Sequence, residues 1–575
     1  MGETVAQAIA RALKRHGVQV VFGQSLPSAV LLACETIGIR QLAYRQENMG
    51  GAMADGFARV SRSIAVVAAQ NGPAATLLVP PLAEAFKASV PIVALVQEVE
   101  RPQIDRNAFQ EVDHFALFSS CAKWVRRIIT ADRADDYVDQ AFVAAGSGRP
   151  GPAVLLLPAD LLRERAIAPR HTRRVSLDRW PIDRSRPEDS VLREAADFIA
   201  AADAPVAVAG GGTTSPAASA AISRLQETAH LPVFTTNMGK GAVDECHPLS
   251  CGVLGSLTGA RSLGRRTKPI LGEADLVLLV GTRTNQNGTD SWRQITPGAR
   301  IIHIDVDPTE VGRNYEALRL VGDAAVTLNA LCETLERLDL SRRRTARAQA
   351  EKRIAAAWAA FEVDRASLAG SNNSPIRPER VMRELQARLT PKTIVVADAS
   401  YSSMWIIGQL RAQRAGHRFL TPRGLAGLGW GLPLAIGAKV ARPDAPVVAV
   451  AGDGGFAHSW AELETMVRSC VSVVVIVLNN GVLGFQKYAE TIKFGAYTSA
   501  CHFAPVDHAA IARACGCGAT VVRAPGDIGP ALDEALASGR PWLVEVVADP
   551  DAHPALSLFD GTVDQNAVRD VGSVG

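Results

Sequence analysis

Near the C-terminus, Gly452-Asp453-Gly454 places one carboxylate between two glycines, and after 24 intervening residues the chain offers two side-chain amides, Asn479 and Asn480. A hard divalent cation takes oxygen ligands and tolerates bound phosphate oxygens, so a carboxylate, an amide oxygen and a backbone carbonyl suit Mg²⁺. A glycine-rich turn lets backbone N–H groups come close to a phosphate. These residues could together hold a metal diphosphate, provided the chain brings them side by side. The apolar run from Ala445 predicts a buried strand with Asp453 at its carboxyl end, Ser459 to Arg468 has helical spacing, and Val471 to Leu478 predicts a second strand ending at the asparagines. A right-handed strand–helix–strand crossover would set the two strand ends next to each other. An ordinary βαβ unit with turn residues is the bland alternative.

The rest of the chain punctuates into three α/β blocks, at 1–165, 190–340 and 375–550. In the first, helices alternate with apolar strands at Ser63 to Ala69, Val90 to Val96 and Ala153 to Pro158. The second carries Pro205 to Ala209, Leu231 to Thr235, Leu276 to Val280 and Arg300 to Asp305. The third runs from Thr393 to Ala397 through the Asp453 unit to Trp542 to Val547. Arg165 to Asp189, rich in Arg, Pro and Asp, predicts the first linker. A charged helix over Arg342 to Asp364 leads to the second linker, Gly370 to Pro375. The tail after Asp551 is weakly patterned and is expected to be mobile.

Composition agrees with large parallel sheets. The 575 residues suffice for three to four domains, apolar content is 47%, and aromatics are only 5% against abundant Ala, Val and Gly. Net charge is +3 with both signs interspersed, which argues against nucleic-acid and membrane partners and for small metabolites. Nine scattered cysteines without a CxxC pair, no signal-like apolar start and no unbroken apolar run of spanning length lead to the expectation of a cytoplasmic protein.

Taken with Tyr44-Arg-Gln-Glu-Asn-Met-Gly-Gly-Ala-Met-Ala-Asp-Gly-Phe-Ala-Arg59 and the glycine-rich Arg423 to Lys439, the Asp453 unit resembles the thiamin diphosphate enzymes of the acetohydroxyacid (acetolactate) synthase, pyruvate oxidase and benzoylformate decarboxylase superfamily. Ala108-Phe-Gln-Glu111, Gly148 to Pro152, Met238 to Ala242 and Ile301 to Pro308 are similar to acetohydroxyacid synthase signatures in the same order, so the likeness runs over roughly residues 4 to 555. It implies three doubly wound parallel-sheet domains, one binding the cofactor's pyrimidine, a central one, and one binding its diphosphate. It implies a glutamate, Glu47, that hydrogen-bonds the pyrimidine and assists deprotonation of the thiazolium carbon, with burial raising its pKa. Read from residue type alone, Glu47 is equally a carboxylate opening the helix Asn48 to Ser61.

Carried onto this chain, the resemblance gives cofactor contacts from Ser400, Tyr401, Ser402, Ala426 (a carbonyl for the aminopyrimidine), Leu428 (a wedge between the rings), Gly452, Asp453, Gly454, Gly455, Asn480, Val482, Leu483, Gly484 and Phe485. Asp453, Asn480 and the Val482 carbonyl become the Mg²⁺ ligands, and Glu47, Gln70, Phe109, Gln110 and Tyr401 the catalytic set. The family's central domain holds FAD, and Lys240 and Asp305 match positions near it. Gly281 to Trp292 departs from the usual Gly-Ala-Arg-Phe-Asp-Asp-Arg, which leaves both FAD and a domain kept only for packing open.

Other departures fall where substrates would lie. Phe485, Gln486 and Ala489 stand at the family's methionine, valine and tryptophan positions. Gln70-Asn71 replaces Thr-Ser, and Ala399 to Ser403 replaces Val-Gly-Gln-His-Gln. The loop Phe22 to Ser28 lacks the oxyanion-facing glycine, with Ser25 or Ser28 as substitute donors or as plain turn residues. The paired histidines of pyruvate decarboxylases are absent, with His114 alone nearby. Three readings follow: carboligation of a 2-oxoacid-derived acyl unit onto a second carbonyl, as in acetolactate synthase; non-ligating decarboxylation or benzaldehyde-lyase-like cleavage; or a catalytically silent regulatory protein. Because such sites form between subunits, a homodimer or homotetramer is expected.

Overall fold

In the computed structural model, which describes residues 2–168 and 173–559, the chain forms three six-stranded sheets, every strand pairing parallel. The first sheet comprises β1 (Val20–Phe22), β2 (Arg40–Leu42), β3 (Ala65–Ala69), β4 (Ile92–Glu98), β5 (Trp124–Arg127) and β6 (Ala153–Pro158) in the order β2-β1-β3-β4-β6-β5. The second comprises β7 (Pro205–Ala209), β8 (Val233–Thr235), β9 (Ser250–Val253), β10 (Leu276–Val280), β11 (Arg300–Asp305) and β12 (Leu318–Val321), ordered β12-β11-β10-β7-β8-β9. The third comprises β13 (Ile394–Ala397), β14 (Phe419–Leu420), β15 (Val447–Gly452), β16 (Val474–Asn479), β17 (Gly518–Val522) and β18 (Trp542–Val547), ordered β14-β13-β15-β16-β18-β17. The expected fold class is what is found.

Shared topology is informative here. Outer sheets one and three have the same strand order, so each places its switch of direction between its first and third strands. The central sheet reads 3-2-1-4-5-6 when its strands are counted in turn, the order that opens a crevice between β7 and β10 at their carboxyl ends. Central strands such as β3, β7 and β10 are buried along their whole length, which explains why they read as unbroken Val, Ala and Leu runs rather than alternating ones.

The first and third units pack through two helices, Glu47–Ser61 and Gly431–Ala441. A Cβ at Gly56 would strike the Leu434 carbonyl oxygen, and one at Gly437 would strike that of Met53. Glycine is therefore what lets the two backbones touch.

Several expected boundaries shift inward. The strands expected from Ser63, Val90 and Leu231 begin at Ala65, Ile92 and Val233, and those expected from Thr393 and Val471 begin at Ile394 and Val474, because the first residues of each run lie in the entering loop. The helix expected from Ser459 begins at Glu462, and the charged helix is longer, Ser341–Ala369. One expectation is corrected. The chain after Asp551 does not trail away: Ala552 and Leu556 are buried, the Ser557 N–H donates to the Ser256 carbonyl (2.8 Å), and Phe559 packs on Tyr401, Tyr488 and His553. Beyond Phe559 the expected tail lies outside the described residues, as do residues 169–172 of the first linker.

Candidate active site

Asp453 opens a short helix, Asp453–Phe456, directly at the end of β15, and Asn480 follows the adjacent β16, so the parallel pairing of these strands brings the carboxylate and the amide to one edge. Asp453 Oδ2 accepts the Gly481 N–H (2.9 Å), and Asn480 Oδ1 accepts the Val482 N–H (3.2 Å). Burial raises the Asp453 carboxyl above its ordinary range, opposed by the Gly481 N–H. A cation here would favour the ionised form.

A cavity surrounds this edge. Ser400, Tyr401, Ser402, Leu428, Gly452, Asp453, Gly454, Gly455, Asn480, Val482, Leu483 and Gly484 all line it. Ala426 and Phe485, expected among the cofactor contacts, do not: Ala426 is in the left-handed region (φ 62°), and Phe485 packs edge-on against Tyr401 (6.1 Å). The glycines are there for space. A Cβ at Gly455 would strike Asp398 Oδ2, and one at Gly454 would lie 2.7 Å from the Phe503 ring.

Asp398, at the carboxyl end of β13, was missed by motif alone. Its wholly buried carboxylate accepts the N–H groups of Gly429 (3.0 Å), Trp430 (2.9 Å) and Gly431 (3.3 Å), fixing the turn that carries Leu428 and capping the helix Gly431–Ala441. Burial raises its pKa, and those same bonds lower it. The position of an Asp just past an apolar strand was the available signal.

Two features fit a phosphate-bearing, ring-containing cofactor. Among the described residues the Tyr401 hydroxyl, buried on the cavity wall, has no hydrogen-bond partner, and burial pushes its pKa up. Ser400 caps the helix Tyr401–Gln409 at φ 61°, ψ −142°, a conformation that favours glycine, and strain of that kind gathers at ligand clamps.

The first unit carries a separate cluster. Glu47 opens its helix half-buried, and among the described residues its carboxylate makes no side-chain hydrogen bond; the expected burial is not present in the single chain. Gln70 Nε2 donates to Gln110 Oε1 (2.7 Å), and Asn71 Nδ2 donates to the Gln110 carbonyl (3.1 Å). Gln110 lies in the left-handed region (φ 62°), and a Cβ at Gly72 would sit 2.6 Å from its carbonyl oxygen. Phe109 is 85% exposed. His114 is tied to Glu98, which pairs with Arg127. The Ser28 hydroxyl donates to the Ser25 carbonyl (2.6 Å), the work of a turn residue. None of Glu47, Gln70, Phe109 and Gln110 lines the Asp453 cavity.

In the central unit, Gly211, Gly212, Gly281, Thr282 and Asp305 border a cavity at the crevice between β7 and β10, faced by Arg59, Arg62, Arg149, Arg283, Arg418 and Arg423. Asn237 Oδ1 is buried there with no hydrogen-bond partner among the described residues. Lys240 is already held by Glu245 (2.8 Å) and the Leu410 carbonyl (2.7 Å). Burial raises Asp305 to about 6.

Two like-ordered α/β units, one offering a carboxylate–amide edge and the other a free glutamate, define an enzyme class that divides a phosphate cofactor between domains. Family models agree unit by unit: the N-terminal thiamine pyrophosphate (thiamin diphosphate) binding domain matches residues 3–117, the central domain of these enzymes 192–331, and the C-terminal thiamine pyrophosphate binding domain 398–546. Among similar proteins are a probable acetolactate synthase large subunit of Methanocaldococcus jannaschii (32% identical, covering 95% of this chain and 92% of that one), an acetolactate synthase of Arthrospira platensis (32%, 96% and 96%) and one of Mycobacterium bovis (30%, 97% and 90%). The chain belongs to the thiamine pyrophosphate enzyme family and is a thiamin diphosphate-dependent enzyme. Among the described residues no helix is long and apolar enough to cross a membrane.

Proposed function

We propose that the protein is a Mg²⁺-dependent carboligase that decarboxylates a pyruvate-like 2-oxoacid and joins the acyl unit to a second carbonyl compound. The observation that carries this is the cavity uniting Asp453, Asn480 and Val482 with a glycine floor and Leu428, in a chain whose relatives bear the name acetolactate synthase. Bound there, thiamin diphosphate supplies an electron sink for loss of CO₂ and an acyl-anion equivalent for the next bond. Asp453, Asn480 and the Val482 carbonyl would hold the cation, and the loop N–H groups would meet the phosphates. Glu47 would hold the proton whose transfer activates the cofactor. Gln110, paired with Gln70, presents an amide to the substrate carbonyl, and the Tyr401 hydroxyl faces the cofactor.

Because Glu47 and Gln110 stand off the Asp453 cavity, we assign each complete site to two chains, hence a homodimer or a tetramer of dimers. The nine free cysteines accord with the reducing cytoplasm. In the central cavity FAD would rest its diphosphate on Gly211, Gly212 and the arginines, with Asp305 beyond; a yellow colour and flavin fluorescence released on denaturation would identify it, and a colourless protein would remove it.

A second reading, non-ligating decarboxylation or lyase cleavage, is favoured by Ala489 at the family's tryptophan position and by the Tyr401 hydroxyl, unpartnered among the described residues. Incubation with pyruvate, thiamin diphosphate and Mg²⁺ separates them. Acetolactate supports carboligation, acetaldehyde alone supports simple decarboxylation, and splitting of an added 2-hydroxyketone into two carbonyl compounds without CO₂ supports the lyase form. The absence both of CO₂ from any of a panel of aliphatic, aromatic and sulfonated 2-oxoacids and of such splitting contradicts both readings.

A further inference from the structure

We propose that Glu462 is the positioning residue for Glu47, acting from the crossover helix of the Asp453–Asn480 unit, with Glu84 as its counterpart for the Ala426–Leu428 turn. This rests on the cofactor assignment above. Glu462 begins the helix Glu462–Arg468 and is wholly buried. Its carboxylate accepts the N–H groups of Arg45 (3.0 Å) and Gln46 (3.2 Å) and the Thr465 hydroxyl (2.7 Å). Gln46 is the residue just before the helix that Glu47 opens, and its own side chain makes no cap. The same helix grips the incoming segment twice more: Arg468 donates to the Ala43 carbonyl (2.8 Å), and Arg40 donates to the Ser469 carbonyl (2.7 Å).

The first unit does the reverse. Glu84, wholly buried in the helix Val79–Ala88, accepts the N–H groups of Gly424, Leu425 and Ala426 (3.2 Å for the last). Both glutamates lie on the second helical segment after the third strand of like-ordered sheets, and both hold the segment entering the helix before that strand in the other unit. The clasp is therefore reciprocal. A carboxylate is costly to bury, and burial raises Glu462 against the bonds from Thr465, Arg45 and Gln46, so truncating it leaves three donors unmet beside Glu47. Since Glu47 does not line the Asp453 cavity of its own chain, Glu462 links the phosphate end of one site to the glutamate of a different one.

The test compares wild type with Glu462→Asp, which withdraws the carboxylate by one methylene, and Glu462→Gln, which keeps an acceptor oxygen. Arg468→Ala, which cuts only a flanking tie, is the control. Three quantities are read: amide hydrogen exchange of the 43–49 peptide in the apoprotein, exchange of the thiazolium C2 proton of bound thiamin diphosphate by NMR, and calorimetric affinity for thiamin diphosphate with Mg²⁺. Glu462→Asp should lose amide protection and slow C2 exchange about tenfold or more, since misplacement of a reacting group by about 1 Å costs on that order. Affinity should stay within about threefold, and Glu462→Gln and Arg468→Ala should exchange C2 near the wild-type rate. If Glu462→Asp does not fold, Thr465→Val, which frees one carboxylate oxygen, should show the same signature in weaker form. Wild-type C2 exchange in Glu462→Asp or, in its place, Thr465→Val overturns the positioning role alone; a wild-type protein that takes up no thiamin diphosphate overturns the cofactor assignment with it.

Discussion

In the proposed function Asp453 and Glu47 work at different ends of one cofactor, and their substitutions should fail differently. Asp453→Ala removes from the cavity the carboxylate proposed to hold the cation, so thiamin diphosphate uptake should disappear in a binding titration. Glu47→Gln leaves that cavity untouched. Binding should persist while turnover drops by about 10² to 10⁴-fold, the usual worth of one proton-transfer group, and full activity in Glu47→Gln would contradict its role. Ser400 offers a prediction of the opposite sign. Held at φ 61° and ψ −142°, it bears strain of about 1–3 kcal/mol that glycine would not, against about 0.5–1 kcal/mol of added chain entropy, so Ser400→Gly should raise apoprotein stability by about 1 kcal/mol in a denaturant melt. A lower midpoint would show that the serine hydroxyl is worth more than its backbone costs. The Asp453 and Asn480 pair was legible because its spacing is local to one βαβ unit, and a serine standing at a glycine position was visible too. Glu84 and Glu462 were not legible: each serves backbone N–H groups more than 300 residues away, and nothing in a sequence marks which peptide a buried carboxylate will face.

At the scale of elements, the contact between the helices Glu47–Ser61 and Gly431–Ala441 is the joint on which the site geometry depends. Gly437→Ala would drive a methyl group into the Met53 carbonyl, and Gly56→Ala would do the same at Leu434. Overpacking of this kind costs about 1–3 kcal/mol when side chains can move aside, and backbone cannot, so each substitution should lower the thermal midpoint by several degrees and reduce cofactor affinity with it. Unchanged melting in both would mean the helices can separate without loss. Strand existence was readable from uninterrupted apolar runs such as Leu276–Val280, whose limits agree to the residue. Strand starts were less so, because an apolar residue such as Val471 or Val90 is equally at home in a buried entering loop. The Ala552–Phe559 segment escaped for a related reason: its anchoring residues, Ala552, Leu556 and Phe559, are too few and too unevenly spaced to show a period, yet each finds a socket.

For the whole molecule, the separation of the Glu47 and Asp453 clusters within one chain is the fact with the widest consequence. If two chains complete each site, inactive Glu47→Gln and inactive Asp453→Ala chains should restore about a quarter of wild-type activity when unfolded and refolded together, since half of random dimers are hybrids and half the sites of a hybrid are intact. Chains that each held a full site would restore none. The three-unit plan was foreseeable from composition and punctuation, whereas the identical order of the outer sheets, and with it the reciprocal clasp, appears only when the strands are seen paired. The most direct measurement of the whole account is a calorimetric titration of thiamin diphosphate into metal-free protein, with and without Mg²⁺. Saturation at one cofactor per chain that requires Mg²⁺ and vanishes in Asp453→Ala is the predicted result. Uptake that persists in Asp453→Ala, or no uptake by the wild type in the presence of Mg²⁺, would contradict it.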